Sequence, residues 1–310
     1  MKYCFGVDIG GTTVKLGLFQ TDSMLVDKWE IPTRRENQGD FIIADVAKSI
    51  LEKMQERNMD KNDVIGIGMG VPGSVIGDGY VTHTGNIGWH GKDAGKEMRE
   101  LTGLSVRIDN DANVAALGEM WKGGGEGYQN IVMVTLGTGV GGGIIINGKI
   151  HSGTNGGGGE IGHTTSNRDE TECCGCGKKG CLEQYASATG IARLARKKLA
   201  ATTKETMLDI ENISAKTVFD AVKEGDEVAI EVAEEFGSYL GYALADLGSI
   251  IDPEIFVIGG GVSKAGDILL TFVQKYFNER TYFTCADVKF ALAKLGNDAG
   301  IYGAAKMIIG

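Results

Sequence analysis

Three short apolar runs open this chain, separated by turn residues. Residues 3–8 are mostly apolar and end at Gly10-Gly11, 14–19 follow at once, and 24–31 make a third run. Runs of this length broken by tight turns predict an antiparallel meander. Ile43, Val46, Ala47, Ile50, Leu51 and Met54 then recur at helical spacing, which predicts a helix over 40–57. A strand is expected over 64–71, ended by Pro72-Gly73. A helix over 94–101, a strand over 105–108 and a helix over 112–121 complete this first pattern.

The pattern then restarts. An apolar strand over 131–136, a Gly137-Thr138-Gly139 turn and a strand over 142–146 echo the opening strand–glycine–strand. Helices are expected over 182–199, 215–224 and 226–250, the last with Val228, Val232, Phe236, Tyr239, Leu240, Ala243, Leu244 and Leu247 on one face. A strand over 254–258 enters Gly259-Gly260-Gly261, and a helix closes the chain over 300–309. Two similar α/β lobes are expected, a small one over 1–115 and a larger one over 116–299, with the helix at 300–310 packing back on the first. A duplication of this kind is expected to place ligands between the lobes.

Composition narrows the function classes. With 310 residues the chain can bury a sizeable core without staples. Glycine is abundant at 49 and proline scarce at 3, but no three-residue period makes it collagen-like. The formal net charge of −10 and the absence of a basic block argue against nucleic acid or an anionic membrane as partner. No apolar stretch is long enough for a membrane span, and none forms a leader, so a cytoplasmic protein is expected.

Cysteine usage adds the first specific chemistry. Cys173, Cys174, Cys176 and Cys181 cluster among glycines, with His163 a short loop upstream and Glu160 and Glu183 bracketing the segment. Three thiolates and an imidazole make a closed tetrahedral zinc site of the structural type. Soft ligands and no vacant position argue against a zinc-activated water. Disulfides or reduced structural thiols are the alternative. Clustered Cys with a nearby His in an intracellular chain favours the metal.

Two glycine-rich hairpins offer phosphate chemistry. In Asp8-Ile9-Gly10-Gly11-Thr12-Thr13-Val14-Lys15 the glycines admit close approach of backbone N–H groups, and the threonines add donors. Asp8 at a strand end is suited to hold water around Mg²⁺. Gly137, Thr138 and Gly139 repeat this chemistry in the second half, and Gly259-Gly260-Gly261 after a buried strand can seat a flat purine. Neither hairpin is a Walker loop. The strand over 105–108 runs into Asp109-Asn110-Asp111. Asp111 is either the cap of the next helix or a base that accepts the proton of a hydroxyl nucleophile. Glu160, His163 and Glu183 suit the paired hydroxyls of a hexose. Gly73 and Asn86 are further candidates, although Asn86 can also stabilise its own turn.

Taken together, these motifs resemble the ROK family of sugar kinases, within the actin–hexokinase superfamily. Asp8 to Thr12 resembles the first phosphate motif, Thr135 to Gly143 the second, and Val257 to Val262 the adenosine motif. Glu160-Ile161-Gly162-His163 with Cys174-x-Cys176 and Cys181-x-Glu183 resembles the zinc and sugar signature. The resemblance runs end to end and is strongest to the ATP-dependent glucokinases. It departs from the family's fructokinases, whose zinc motif carries more histidine. It implies a two-lobed actin/hexokinase-like (ribonuclease H-like) fold with duplicated α/β domains, a cleft that closes on sugar, and a homodimer. It implies Mg-ATP as co-substrate, structural zinc on His163, Cys174, Cys176 and Cys181 with Cys173 spare, and sugar contacts from Asn110, Glu160, His163 and Glu183. It places the catalytic base on Asp111 and leaves Asp109 structural. The same family contains sugar-responsive repressors with a DNA-binding module ahead of the kinase-like body. Only two residues precede the first expected strand here, so no such module is expected.

Overall fold

The computed structural model describes residues 2–310. In chain order the elements begin with β1 (Tyr3–Ile9), β2 (Thr13–Gln20), β3 (Leu25–Pro32), a short turn α1 (Glu36–Gly39), α2 (Ile42–Glu56) and β4 (Val64–Val71). Next come β5 (Ser74–Ile76), β6 (Tyr80–His83), β7 (His90–Asp93), α3 (Ala94–Thr102), β8 (Val106–Asn110) and α4 (Asp111–Lys122). Then follow β9 (Ile131–Leu136), β10 (Val140–Ile146), β11 (Lys149–Ile150), α5 (Glu183–Ala186), α6 (Ala188–Ala201) and α7 (Ala215–Lys223). The last are α8 (Glu227–Ile251), β12 (Ile255–Gly259), α9 (Asp267–Arg280), β13 (Lys289–Leu292) and α10 (Ala299–Ile309). Among the described residues no helix is long and apolar enough to cross a membrane.

The chain divides into two compact units. The first comprises residues 1–129, 143–159 and 295–310, and the second 130–142 and 160–294. This differs from a division at 115/116, because α4 packs against α10, and α10 packs against β1 and β4. The helix that follows the strand over 105–108 therefore stays with the first sheet.

In the first unit the sheet order is β3-β2-β1-β4-β8, antiparallel across β3, β2 and β1 and parallel across β1, β4 and β8. Parallel strands buried on both faces read as near-continuous apolar runs, which is the pattern of β1 and β4. One face is filled by Ile43, Val46, Ile50 and Met98, and α10 covers the other. The backbone of α10 lies so close that a Cβ at Gly68 would overlap the carbonyl oxygen of Ala304, and one at Gly303 would overlap that of Val114. Gly303→Ala is therefore expected to cost about 1–3 kcal/mol or more by overpacking. Gly157→Ala, where nothing lies within 4 Å, should change little. Urea titration of both variants checks this; equal midpoints would mean that α10 has room to move away. Glu119, wholly buried on α4, accepts hydrogen bonds from Gly124 N at 2.7 Å and Leu295 N at 2.8 Å.

A small antiparallel sheet, β5-β6-β7, was not expected. Its strands are three or four residues long and mostly exposed, so they carry no usable alternation.

In the second unit β12 lies between β9 and β13, parallel to both. Phe256, Phe277 and Phe290 pack edge-to-face and tilted between β12, α9 and β13. Helix α9, not among the expected elements, buries Leu269, Val273 and Phe277, one residue per turn. The expected helix over 182–199 is two helices. Ser187, fully buried, donates to Glu183 O at 2.7 Å and accepts from Gly190 N at 2.9 Å, ending α5 and capping α6.

Candidate active site

The first unit sets three adjacent polar residues at the end of β8 into different roles. Asp109 accepts from Asn110 N at 2.7 Å, from Asn113 Nδ2 at 3.0 Å and from Ser152 Oγ at 2.6 Å. Its carboxylate is committed to structure. Asn110, not Asp111, is the N-cap of α4. Its Oδ1 accepts from Ala112 N at 2.9 Å and Asn113 N at 3.2 Å, and its Nδ2 donates to Gly73 O at 3.1 Å. One amide proton of Asn110 is left for a ligand. Asp111 is the first residue of the helix, half-buried, and accepts from Ala112 N at 2.8 Å. The capping alternative for Asp111 is thereby corrected: its neighbour fills that role.

The first glycine hairpin joins β1 to β2. Gly10 N donates to Thr13 O at 3.0 Å, and Thr33 Oγ1 donates to Gly10 O at 2.7 Å, which fixes the turn and leaves the Thr12 side chain exposed. A Cβ at Gly11 would stand 3.5 Å from Asn86 Nδ2, so this hairpin and the exposed Asn86 are neighbours. Gly73, at φ +94, is held to Asn110 through its carbonyl. Asp8 pairs across the hairpin with Lys15, whose Nζ donates to Asn297 O at 3.0 Å. Burial of the Asp8 carboxyl pushes its pKa up, and Lys15 pulls the other way. A carboxylate desolvated to this degree is stabilised by a further cation.

The second hairpin belongs to the second unit and is tied down from behind. Ala188 N donates to Gly137 O at 2.8 Å, Thr189 Oγ1 donates to Thr138 O at 2.6 Å, and Val140 N donates to Glu183 Oε2 at 3.0 Å. The Gly137 and Thr138 carbonyls are thus anchored to the α5–α6 junction, and the Thr138 side chain stays exposed. Gly260, at φ +84, lies against Leu136, where a side chain would overlap backbone. Gly261 has open space beside it and borders a cavity of about 350 Å³ shared with Ser214, Lys216, Phe219 and Lys264.

His163, Cys174, Cys176 and Cys181 converge, with one ligand atom from each within 4.8 Å of all the others. Cys176 Sγ lies 3.6 Å from Cys181 Sγ, and Cys174 Sγ lies 3.8 Å from His163 Nδ1. Zinc–donor bonds of about 2.0–2.3 Å in a tetrahedron put donors roughly 3.4–3.8 Å apart, so the set fits that ion. Burial pushes the Cys174 thiol up to about 12 and raises Cys181, whereas the Lys178 backbone N–H lowers Cys176. A bound cation is what allows such unequal thiols to ionise together. The ring of His163 turns its other face outward, with Nε2 4.0 Å from Glu160 Oε2. Both residues sit at one 3-10 turn, Glu160 as its N-cap and His163 as its last residue. Cys173 is exposed and outside the group. Tyr185 and Arg193 clamp Glu170 of the same loop, and the Tyr185 hydroxyl, the Glu172 backbone N–H and Arg193 hold its carboxyl down to about 2.

A model of the ROK family matches residues 4–310. The chain belongs to the ROK family. It is 45% identical over 309 residues to a glucokinase of Halalkalibacterium halodurans, covering 97% of this chain and 93% of that protein. It is 36% identical over 310 residues to a glucokinase of Thermotoga maritima, covering 98% and 96%. Among solved structures, a ROK family glucokinase from Streptomyces griseus in complex with glucose and AMPPNP superimposes with a TM-score of 0.74 at 32% identity, covering 98% of both chains. The fold is accordingly the actin/hexokinase-like fold of the ROK sugar kinases.

Sequence reasoning missed several residues that shape this ROK site. Ser152 fixes Asp109 from a loop 43 residues away, and no local signal marks it. Thr189, which anchors the second hairpin, looks like an ordinary helix residue. Phe219 and Lys216 border the cavity beside Gly261 only because α7 packs near the turn that follows β12.

Proposed function

We propose that this chain is an ATP-dependent hexose kinase that phosphorylates glucose at its 6-hydroxyl. The observation that carries the reading is the division of labour at the end of β8. Asp109 accepts three hydrogen bonds from the scaffold and Asn110 caps α4, and Asp111, the next residue and the first of the helix, stands where the Asn-Asp-Ala pattern of the ROK kinases has its base. Glucokinase relatives supply the sugar.

The chemistry asked of these residues is mostly positioning and charge stabilisation. Asp111 accepts the proton of the 6-hydroxyl as that oxygen bonds to the γ-phosphorus. The bond from the γ-phosphorus to its bridging oxygen breaks, and ADP leaves. The remaining Asn110 amide proton, Glu160, His163 and Glu183 satisfy sugar hydroxyls, with Gly73 and Asn86 as further contacts. Gly10, Gly11, Thr12 and Thr13, then Gly137, Thr138 and Gly139, offer N–H and hydroxyl donors to phosphate oxygens. The cavity beside Gly260 and Gly261 accepts the adenosine, its Phe219 supplying an apolar wall. Asp8 would hold the water of a magnesium ion carried by the nucleotide, which would offset phosphoryl charge. His163, Cys174, Cys176 and Cys181 would hold a zinc ion, which would supply fixed coordination and no reactive water.

A steady-state screen with Mg-ATP tests this reading against mannose, fructose, N-acetylglucosamine and N-acetylmannosamine. Glucose is expected to lead in kcat/KM by about tenfold or more, the scale on which sites built for specific hydroxyls discriminate. Preference for an N-acetylated sugar would overturn the substrate, and no turnover of any hexose would overturn the activity.

A further inference from the structure

A cavity of about 860 Å³ lies wholly within the first unit and is lined by none of the residues assigned above to sugar, nucleotide or metal. Its floor is apolar, made by Val106 of β8 with Leu117 and Met120 of α4. Trp121 and Tyr128 also line this space. The volume falls within the range of sites for small organic ligands, roughly 300–1,000 Å³.

The charged residues around this floor are unbalanced. Arg107, Lys149 and Lys306 line the cavity against Asp78 and Asp109. Asp109 spends its oxygens on Asn110, Asn113 and Ser152. Arg107 gives one of its five N–H groups to Met307 O at 2.7 Å and has the others to offer. Lys306 donates to Gly310 O at 2.7 Å and stands 5.8 Å from the Trp121 ring. Lys149 is exposed on β11 and pairs with no carboxylate within the described residues. A sugar phosphate suits the cations but would leave its hydroxyls unmatched on the apolar floor, which is costly. A neutral hydrophobe suits the floor and ignores the cations.

We propose that this cavity binds a small organic anion with an aromatic body, the ring between Trp121 and Tyr128 and the acid group toward Lys149 and Arg107. The site does not rest on the kinase reading: of the three residues at the end of β8 only Asp109, bound to the scaffold, lines it, and no residue assigned to sugar, nucleotide or metal does.

Fluorescence titration with 8-anilinonaphthalene-1-sulfonate tests the proposal on the zinc-loaded full chain. Excess ADP is present throughout to occupy the nucleotide site. One saturable site is expected. Lys149→Glu, a surface change that leaves the fold alone, should weaken Kd by about tenfold, the equivalent of one lost charge contact near 1.4 kcal/mol. Tyr128→Ala should weaken it to a similar degree, and uncharged N-phenyl-1-naphthylamine should bind the native chain about tenfold less tightly. Far-UV circular dichroism checks that both variants are folded. Absence of saturable binding overturns the proposal, and so does a Kd in Lys149→Glu within about threefold of native. A neutral analogue that binds as tightly as the sulfonate would overturn its anionic part.

Discussion

Asp111→Asn is expected to lower kcat by about 10²–10⁴, the range a positioned general base contributes. The substitution is informative because so little else should change. Asn has nearly the volume of Asp and keeps an Oδ1 to accept from Ala112 N. The cap of α4 resides on Asn110, so the helix should start where it does now. What disappears is an oxygen able to take a proton at neutral pH. KM for ATP should move little, because the phosphate hairpins are untouched. A fall in kcat with kcat/KM falling in parallel marks an interaction made in the transition state. A variant retaining more than about a third of native kcat would remove Asp111 from the role of base.

The second large effect concerns the metal loop. Cys176→Ser should lose bound zinc and soften the second unit, whereas Cys173→Ser should keep one zinc per chain. The reason is geometric. Cys176 Sγ stands 3.6 Å from Cys181 Sγ, inside the converging group, and Cys173 lies outside it. An ion bound at about 100 times its Kd stabilises the folded state by about 2.7 kcal/mol. For a domain of this size that corresponds to about 5–11 °C in Tm. Metal analysis and calorimetry on the two variants decide the matter, and zinc loss in Cys173→Ser with retention in Cys174→Ser would shift the ligand register by one residue. Zinc removal should also raise KM for sugar more than KM for ATP. His163 turns Nδ1 to the thiols, so coordination there fixes where Nε2 points. Equal changes in the two KM values, in an enzyme still folded, would mean that Nε2 does not reach the sugar.

Much of this architecture is legible in the residues. Buried parallel strands such as β4 announce themselves as apolar runs, and the Cys-x-Cys spacing with a nearby His announces the converging Cys and His group. What is not legible depends on contacts distant in sequence. Nothing near Asp109 reveals that Ser152 will occupy its second oxygen, so the division of roles among Asp109, Asn110 and Asp111 cannot be read locally. The apolar period runs unbroken through 182–199, and the buried Ser187 breaks the helix with one hydroxyl. The strands β5, β6 and β7 are too short and too exposed to show a period. Helix α9 does carry one, with Leu269, Val273 and Phe277 at a spacing of four. The unit boundary escaped because residues 143–159 and 295–310 return to the first unit, and chain order carries no mark of return.

That return has a bearing on how the protein is made. The first sheet is synthesised early, but α10, which covers one of its faces, emerges only after the whole of the second unit. At roughly 5–20 residues per second, the ribosome takes on the order of 10 s to travel from the end of α4 to α10. For that interval Gly6 and Gly68 face a vacant groove rather than a helix backbone. Glu119 waits as well, since Leu295 N, one of its donors, belongs to the same late segment. The N-terminal half of this chain is therefore its last part to be completed, and one apolar face of its sheet lacks its covering helix until the end of translation.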